Sequence, residues 1–392
     1  MSEPSVFIVS AARTPVGSFQ GSLQSKTAPE LGAAAIRATL ENSGIDCSAV
    51  GEVIMGNVVS AGLKQAPARQ AMRQAGLPDS CAASTINKVC GSGMKATMLA
   101  FDLIRCGNHA CMIAGGMESM TNAPYLMAKA RSGVRLGHTD MKDAMFFDGL
   151  EDAETGASMG SFAQTTADKY QFTREAMDAY AVQSVNRARK ATESGWLDAE
   201  ITPVTITGRT EVVVKDDEQP KRARIEKIPL LKPAFKKDGT ITAANSSSIS
   251  DGASALLLAS SVIIDKLKLV PLARIVTHTT HAQHPSEFTT APVAAIQKLL
   301  EKTGWDIDSV DLFEVNEAFA MVTMIALKDL QIDPDKLNIH GGACAQGHPI
   351  GSTGSRLIVT LAHALKRLDK KRGIAALCIG GGEATAIAIE RA

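Results

Sequence analysis

The chain has 392 residues, of which 45% are hydrophobic, 21% charged and only 4% aromatic. Lys plus Arg and Asp plus Glu both number 41, so the formal net charge is zero, which argues against a general nucleic-acid-binding role. The length allows two or three units of roughly 150 residues with a large buried core, and the abundance of Ala, Val, Ile and Gly is typical of open α/β sheets.

The seven cysteines predict neither a disulfide framework nor a metal site. Their number is odd, no two of them have CxxC spacing, and no histidine cluster accompanies them. The first residues lack the pattern of a secretory signal, and no run of 18 apolar residues follows. We therefore expect a cytoplasmic protein with no membrane partner.

An internal repeat organises the predicted elements. Residues 34–50 match residues 294–310 without a gap at an offset of 260, and eight of the 17 positions are identical. Each copy predicts a helix, a glycine turn and then an apolar strand, at 51–58 in the first copy and at 311–318 in the second. The match indicates two similar α/β units.

A cysteine turn follows in the first copy, in NKVCGSGMKA at 87–96. The glycines favour a sharp turn into a helix that runs to about Arg105, and a strand is predicted at 110–119. Cys90 would lie at the amino end of this helix, where unpaired N–H groups and the helix dipole favour a thiolate. The alternative is a small buried cysteine beside a tight turn.

The second copy has the same order. The stretch GHPIGSTGSR at 347–356 leads into a helix that runs to about Arg367, and a strand is predicted at 375–384. Between the two copies, residues 120 to about 250 follow neither pattern and contain a predicted helix at 173–195. We expect this segment to be a lid or cofactor clamp, or a solvated loop used in oligomer contacts.

Reactive side chains lie on corresponding loops of the two copies: Cys90 in the first, and His348, Cys378 and Asn316 in the second. Three glycines after Cys378 expose backbone N–H groups that suit an oxyanion or a phosphate, and a mere turn is the alternative. Hydrolysis needs one nucleophile and one base. Two thiols and an imidazole indicate a Claisen condensation of thioesters, which needs an acyl carrier, a base and donors for two oxyanions.

These motifs resemble those of the thiolases. NKVCGSGMKA, AGGMESM, NEAFA, GGACAQGHPIGSTGSR and CIGGGEATA occur in the order and spacing of that family. The resemblance implies an α/β fold of two duplicated βαβαβαββ halves in a five-layered αβαβα core with an inserted loop domain. On this basis we expect one half at 1–119 plus 250–270, the inserted domain at 120–249, and the other half at 271–392.

The resemblance also implies catalytic roles. Cys90 matches the nucleophile that accepts the acyl group, His348 matches the residue that activates it, and Cys378 matches the acid/base that removes the α-proton of acetyl-CoA. Asn316, through an ordered water, and His348 would form one oxyanion hole. The N–H groups of Cys90 and Gly380 would form the other.

The family members most similar to this chain catalyse the reversible condensation of two acetyl-CoA molecules to acetoacetyl-CoA and CoA. Coenzyme A is then a substrate and product, no cofactor is bound permanently, and a homotetramer built as a dimer of dimers is implied. Further positions match those that contact CoA and the acyl group in the family: Met159, Lys221, Phe235, Ala243, Ser247, Phe288, Ala318 and Phe319. For the apolar residues among them, ordinary core packing is the alternative role.

Two departures bear on specificity. Ser158 stands where many relatives carry a histidine, which leaves the acyl-chain preference open, and Phe288 stands where others carry a methionine. The second pattern is similar to mitochondrial-type enzymes, some of which are activated by potassium, but no ligand set here predicts potassium.

Other functions are left as alternatives. A 3-ketoacyl-CoA thiolase of longer chains shares the catalytic groups, whereas a decarboxylating condensing enzyme or a Cys-His hydrolase has no task for Cys378. A non-catalytic acyl-CoA or lipid binder would be expected to lose a reactive group.

Overall fold

The computed structural model describes residues 4–392. The first third of the chain contains these helices and strands: β1 (Val6–Arg13), β2 (Gly17–Ser18), α1 (Ala28–Ser43), β3 (Glu52–Gly56), α2 (Pro67–Gln74), β4 (Ala82–Ile86), α3 (Ser92–Arg105) and β5 (Cys111–Ser119). The middle segment contains shorter elements around one long helix: β6 (Tyr125–Met127), β7 (Met141–Asp143), α4 (Ala144–Gly149), α5 (Met159–Tyr170), α6 (Arg174–Glu193), β8 (Val204–Ile206), β9 (Val212–Val214) and α7 (Glu218–Arg222).

The last third repeats the pattern of the first after one returning strand. Its elements are β10 (Ser250–Ser260), α8 (Ser261–Leu267), β11 (Ala273–Ala282), α9 (Ala291–Thr303), β12 (Leu312–Val315), α10 (Ala320–Leu330), α11 (Ala343–Gln346), α12 (Ile350–Arg367), β13 (Arg372–Ile379) and β14 (Glu383–Arg391).

The main strands form one sheet in the order β12-β13-β14-β11-β1-β10-β5-β3-β4, with β2 paired to β10. In the first half, β3 pairs with β5 in parallel and β10 pairs with β5 antiparallel. In the second half, β12 pairs with β13 in parallel and β14 pairs with β13 antiparallel. The halves meet where Val6 to Ile8 of β1 pair with Ile275 to Ala273 of β11. Because β10 pairs with both β1 and β5, the chain returns to its first half after the middle segment.

Helices cover these strands on both sides and between the halves. α3 and α12 lie at the centre, where their apolar side chains share one buried cluster with both halves of the sheet. α1 and α2 cover the outer face of the first half, and α9 and α10 cover that of the second. The predicted five-layered α/β architecture is therefore confirmed.

The two central helices cross at glycines. A Cβ at Gly354 would lie 2.5 Å from the backbone nitrogen of Met94, and one at Gly93 would lie 2.9 Å from that of Ser355. Larger residues would separate the helices, because neither backbone has room to move aside. This close crossing brings the amino ends of α3 and α12 together, and with them the loops that precede each helix.

The structure divides one predicted strand in two. The strand predicted at 375–384 is a hairpin, because Gly381 and Gly382 have φ of +86° and +91° and turn the chain between β13 and β14. The predicted helix ends at Arg105 and Arg367 are confirmed. The long middle helix is also confirmed as α6, and Thr173 caps it by accepting a hydrogen bond from the backbone of Ala176.

Candidate active site

Cys90 lies on a strained turn between β4 and α3. Val89, a β-branched residue, has φ of +47°, a conformation that such residues rarely adopt. The turn is held by side chains, since the Val89 N–H donates to Asn87 Oδ1 at 2.9 Å and Ser92 Oγ donates to the Val89 carbonyl at 2.6 Å. The strain is thus balanced by local hydrogen bonds, and the turn presents the thiol to a cavity.

Burial controls the protonation of Cys90. It raises the pKa of the thiol to about 11, although the backbone N–H groups of Gly380 and of Cys90 itself oppose the shift. The stabilisation of a thiolate expected at the helix terminus is thus present in these N–H groups, but its effect on the pKa is smaller than that of burial. Desolvation outweighs the dipole because the side chain lies against the apolar core between α3 and the facing half.

His348 has a defined tautomer. Its Nδ1 lies 2.6 Å from Thr353 Oγ1, and that hydroxyl donates its own hydrogen to the Pro349 carbonyl at 3.0 Å. Thr353 Oγ1 must then accept, so Nδ1 carries the hydrogen and the lone pair of Nε2 is an acceptor. Nε2 is 3.5 Å from Asn316 Nδ2.

Burial also keeps this imidazole neutral. Burial, and to a lesser extent the charge of Arg356, lowers the pKa of His348 to about 3. Cys90 and His348 line the same cavity, so a neutral Nε2 is suited to accept the proton of Cys90 at the moment of attack.

Cys378 and Asn316 lie behind the wall of the cavity. Cys378, near the end of β13, is buried in a cluster with Met159, Phe288 and Phe319. Burial raises the pKa of the Cys378 thiol well above its usual range, and charge on Cys90 raises it further. The Asn316 backbone is held by the Ala376 carbonyl at 3.0 Å, and among the described residues its Oδ1 has no hydrogen-bond partner. That oxygen is therefore free to accept a hydrogen bond, for example from a water.

One cavity of about 370 Å³ connects most of the predicted site. Its walls are mainly apolar, as in many sites for acyl groups. The predicted residues that line it are Cys90, His348, Gly380, Met159, Phe235, Ala243, Ser247, Phe288, Ala318 and Phe319, and Ser158 lines it as well.

Lys221, which is predicted to meet the nucleotide end of CoA, does not line this cavity. Its side chain is exposed, and Nζ lies 2.6 Å from Asp216 Oδ2 rather than at the cavity. The next residue, Arg222, lines an adjoining depression together with Ser248 and Ile249, and these two also line the main cavity. Arg222, which is paired with Glu218 at 2.6 Å, therefore borders the depression that adjoins the cavity.

Sequence reasoning did not single out Thr353 or part of the cavity wall. A helix that begins at Ile350 places residue 353 within its first turn, so the motif GHPIGST contained the signal for a hydroxyl partner of His348. The other wall residues are apolar or small and had no distinguishing local pattern. They include Met120, Phe146, Leu150, Ser246, Ser248, Ile249 and Ile350.

Residues 4–392 contain neither a grouped set of metal ligands nor a membrane-spanning helix. Within this range no three His, Cys, Asp or Glu side chains are grouped so that they could hold a metal ion. No helix in the same range has both the length and the apolar character needed to cross a membrane.

Comparison with known sequences identifies two domains. The sequence model for the thiolase N-terminal domain matches residues 6–262, and that for the thiolase C-terminal domain matches residues 269–391. The chain is 47% identical over 389 residues to the acetyl-CoA acetyltransferase of Schizosaccharomyces pombe, with 98% of each chain covered. It is equally identical over the same length to an acetyl-CoA acetyltransferase of Pseudomonas aeruginosa, covering 98% of this chain and 99% of that protein.

Solved structures agree with the sequence relatives. The acetyl-CoA acetyltransferase of Bacillus anthracis superimposes with a TM-score of 0.97 at 39% identity and full coverage of both chains. A thiolase of Ascaris suum in complex with coenzyme A superimposes with a TM-score of 0.95 at 42% identity, covering 99% of this chain and 100% of that one.

Proposed function

The chain belongs to the thiolase family, and from that premise we propose that it is an acetyl-CoA C-acetyltransferase. The enzyme condenses two acetyl-CoA molecules to acetoacetyl-CoA and CoA, and it catalyses the reverse thiolysis. The observation that supports this best is the common cavity, because Cys90, His348 and Gly380 all line it while Cys378 packs against its wall.

In the first half-reaction, Cys90 Sγ attacks the thioester carbon while its proton moves to Nε2 of His348. The negative oxygen accepts hydrogen bonds from the N–H groups of Cys90 and Gly380, which both point to the thiol. The bond from carbon to the CoA sulfur then breaks, and the leaving thiolate takes the proton of Cys378. An acetyl-Cys90 remains, together with a His348 imidazolium and a Cys378 thiolate, and both charges are consumed in the second half-reaction.

In the second half-reaction, the Cys378 thiolate removes a methyl proton from a second acetyl-CoA. The enolate oxygen accepts hydrogen bonds from the His348 Nε2–H and, through water, from Asn316, which lies 3.5 Å from that nitrogen. The enolate carbon attacks acetyl-Cys90, the thiolate of Cys90 leaves, and it recovers its proton from His348. All three groups return to their starting protonation states.

A thiolysis assay across chain lengths tests this function. We expect acetoacetyl-CoA to be cleaved with CoA and 3-ketohexadecanoyl-CoA to be a poor substrate, because Phe235, Phe288 and Phe319 close a cavity of about 370 Å³. Equal or faster cleavage of the long chain would identify a 3-ketoacyl-CoA thiolase instead. No cleavage of either, together with binding of acetyl-CoA, would identify a non-catalytic binder.

The proposal includes the assembly and the location of the enzyme. It is a homotetramer, supported by the exposed apolar residues of the β6–β7 hairpin in the middle segment. It works in the cytoplasm, supported by the seven cysteines, all of which are free thiols. No cofactor is bound permanently, since every step above uses side chains or backbone groups of the chain.

A further inference from the structure

Asn316 and Glu317 follow β12 and contact different parts of the molecule. Asn316 faces His348, whereas the Glu317 side chain turns to the middle segment and is 1% exposed. Its carboxylate accepts four hydrogen bonds from neutral donors: Ser184 Oγ at 2.7 Å, Asn338 Nδ2 at 2.9 Å, Tyr180 Oη at 3.1 Å and the Cys344 N–H at 3.1 Å. The proposed reaction leaves this buried carboxylate without a task.

These donors come from three separate parts of the chain. Tyr180 and Ser184 belong to α6 of the middle segment, Asn338 lies in the loop after α10, and Cys344 begins the segment that leads to His348. Hydrogen bonds to a charged acceptor are stronger than neutral ones, so a single carboxylate can hold all three parts together. Glu317 therefore connects both Asn316 and the His348 segment to α6.

Two glycines allow the His348 segment to approach α6 this closely. Gly341 has φ of +77°, and a Cβ there would lie 2.5 Å from the Ser184 carbonyl oxygen. A Cβ at Gly342 would lie 2.3 Å from the carboxyl carbon of Glu317. The Gly342 N–H donates to Ser184 Oγ at 2.9 Å, which extends the same network.

We propose that Glu317 is a positioning residue that sets the spacing between Asn316 Nδ2 and His348 Nε2, with α6 as the rigid support behind it. The middle segment then does more than cover the cavity, because it holds the two donors of one oxyanion site in register. This inference rests on the proposed function for its kinetic consequences. Its geometric content does not depend on that function.

The positioning role predicts a selective defect. Enolate formation needs both Asn316 and His348, whereas the oxygen formed during acetylation of Cys90 faces N–H groups of Cys90 and Gly380, which lie on other loops. A displacement of about 1 Å can cost about 100-fold in rate. Loosening Glu317 should therefore slow the enolate step more than the acetylation step.

The test is Glu317→Gln, which keeps the shape but replaces one acceptor oxygen by a donor that opposes its neighbours. We expect the exchange of acetyl-CoA methyl protons with D₂O to fall about 10- to 100-fold relative to the rate of Cys90 acetylation, with KM for acetyl-CoA changed less than about twofold. Acetylation is followed by mass spectrometry of the Cys90 peptide.

Two further variants keep the inference open to refutation. Gly342→Ala displaces the carboxylate of Glu317 without changing its chemistry, because the added Cβ would contact it. This variant should therefore reproduce the selective defect even if Glu317→Gln does not fold. Glu200→Gln is the matched control, since it changes a buried carboxylate that hydrogen-bonds Arg13 and Thr360 instead. It should lower stability without changing the ratio of the two rates.

A crystal structure of Glu317→Gln supplies a readout that does not need activity. We expect the distance between Asn316 Nδ2 and His348 Nε2 to exceed the present 3.5 Å. An unchanged distance, or an unchanged rate ratio in both folded variants, would overturn the positioning role. Wild-type protein without thiolysis activity would refute the proposed function alone, because the distance measurement would still decide the inference.

Discussion

Cys90 and His348 form a neutral pair in the resting site. Burial raises the pKa of the thiol to about 11 and lowers that of the imidazole to about 3, so both shifts favour the uncharged forms. A preformed thiolate and imidazolium would be stabilised by each other, but each would lose more hydration than the pair regains. The proton moves only when substrate supplies an oxygen that the N–H group of Gly380 can stabilise.

The neutral pair predicts the pH dependence of thiol labelling. Below its pKa the thiolate fraction of Cys90 rises about tenfold per pH unit, so its alkylation by iodoacetamide should climb from pH 7 to 10 without a plateau. Mass spectrometry of the Cys90 peptide measures the rate, and Cys90→Ser reports the background from the exposed Cys106. A plateau near neutral pH would show that a thiolate is already present in the free enzyme.

At the scale of elements, buried charges attach the middle segment to the core. Arg13 at the end of β1 is fully buried and donates from Nε to Glu200 at 2.6 Å and from both terminal nitrogens to Asp217 at 2.7 and 3.0 Å. Asp217 also accepts from the Val16 N–H, and Glu200 accepts from Thr360 of α12 at 3.1 Å. One guanidinium thus links β1 to both ends of the region between α6 and α7.

Removing this guanidinium should be costly. Arg13→Met leaves two buried carboxylates without their cation, and we expect the free energy of unfolding to fall by about 3–5 kcal/mol. Urea denaturation measures the change. The triple variant Arg13→Met, Glu200→Gln and Asp217→Asn removes all three charges together and should recover much of the loss. A single variant as stable as the wild type would contradict the role of this network.

At the scale of the whole molecule, the two halves pack on the central helices α3 and α12, and the β6–β7 hairpin lies outside this shared core. The β6–β7 hairpin exposes Tyr125 by 64%, Met141 by 67% and, in its connecting loop, Leu136 by 95%. Exposed apolar groups clustered on one projecting element are typical of protein contact surfaces. None of these three lines the cavity that Cys90 and His348 share, so the proposed contact surface is separate from that cavity.

The exposed apolar side chains of the hairpin predict which substitutions would dissociate the proposed tetramer. Leu136→Asp together with Met141→Asp should convert tetramers into smaller oligomers, because charge cannot be buried in an apolar contact without a partner. Sedimentation velocity measures the size, and thiolysis activity should persist because the cavity is intact. Ser132→Ala, an exposed change in the same loop, is the control. Tetramers that survive the double substitution would show that this hairpin is not the contact.

Much of the fold could be predicted from local patterns. The match between residues 34–50 and 294–310 reflects helix periodicity and a glycine turn, which depend on near neighbours in the chain and are confirmed as α1 and α9. The hairpin at Gly381 and Gly382 was missed, because three glycines between two apolar runs also suit a continuous strand at a close approach.

By itself, the sequence determined the duplicated architecture and the family, and it predicted a set of reactive side chains, because motifs such as those around Cys90 and His348 require only short-range order. Only the tertiary structure decided the burial that shifts the pKa values of these groups, the exposed position of Lys221 and the contacts of Glu317. Desolvation comes from every layer packed around a group, and the hydrogen bonds of Glu317 reach Ser184, 133 positions away in the chain. Such effects belong to no local pattern, since they exist only after both halves have packed together.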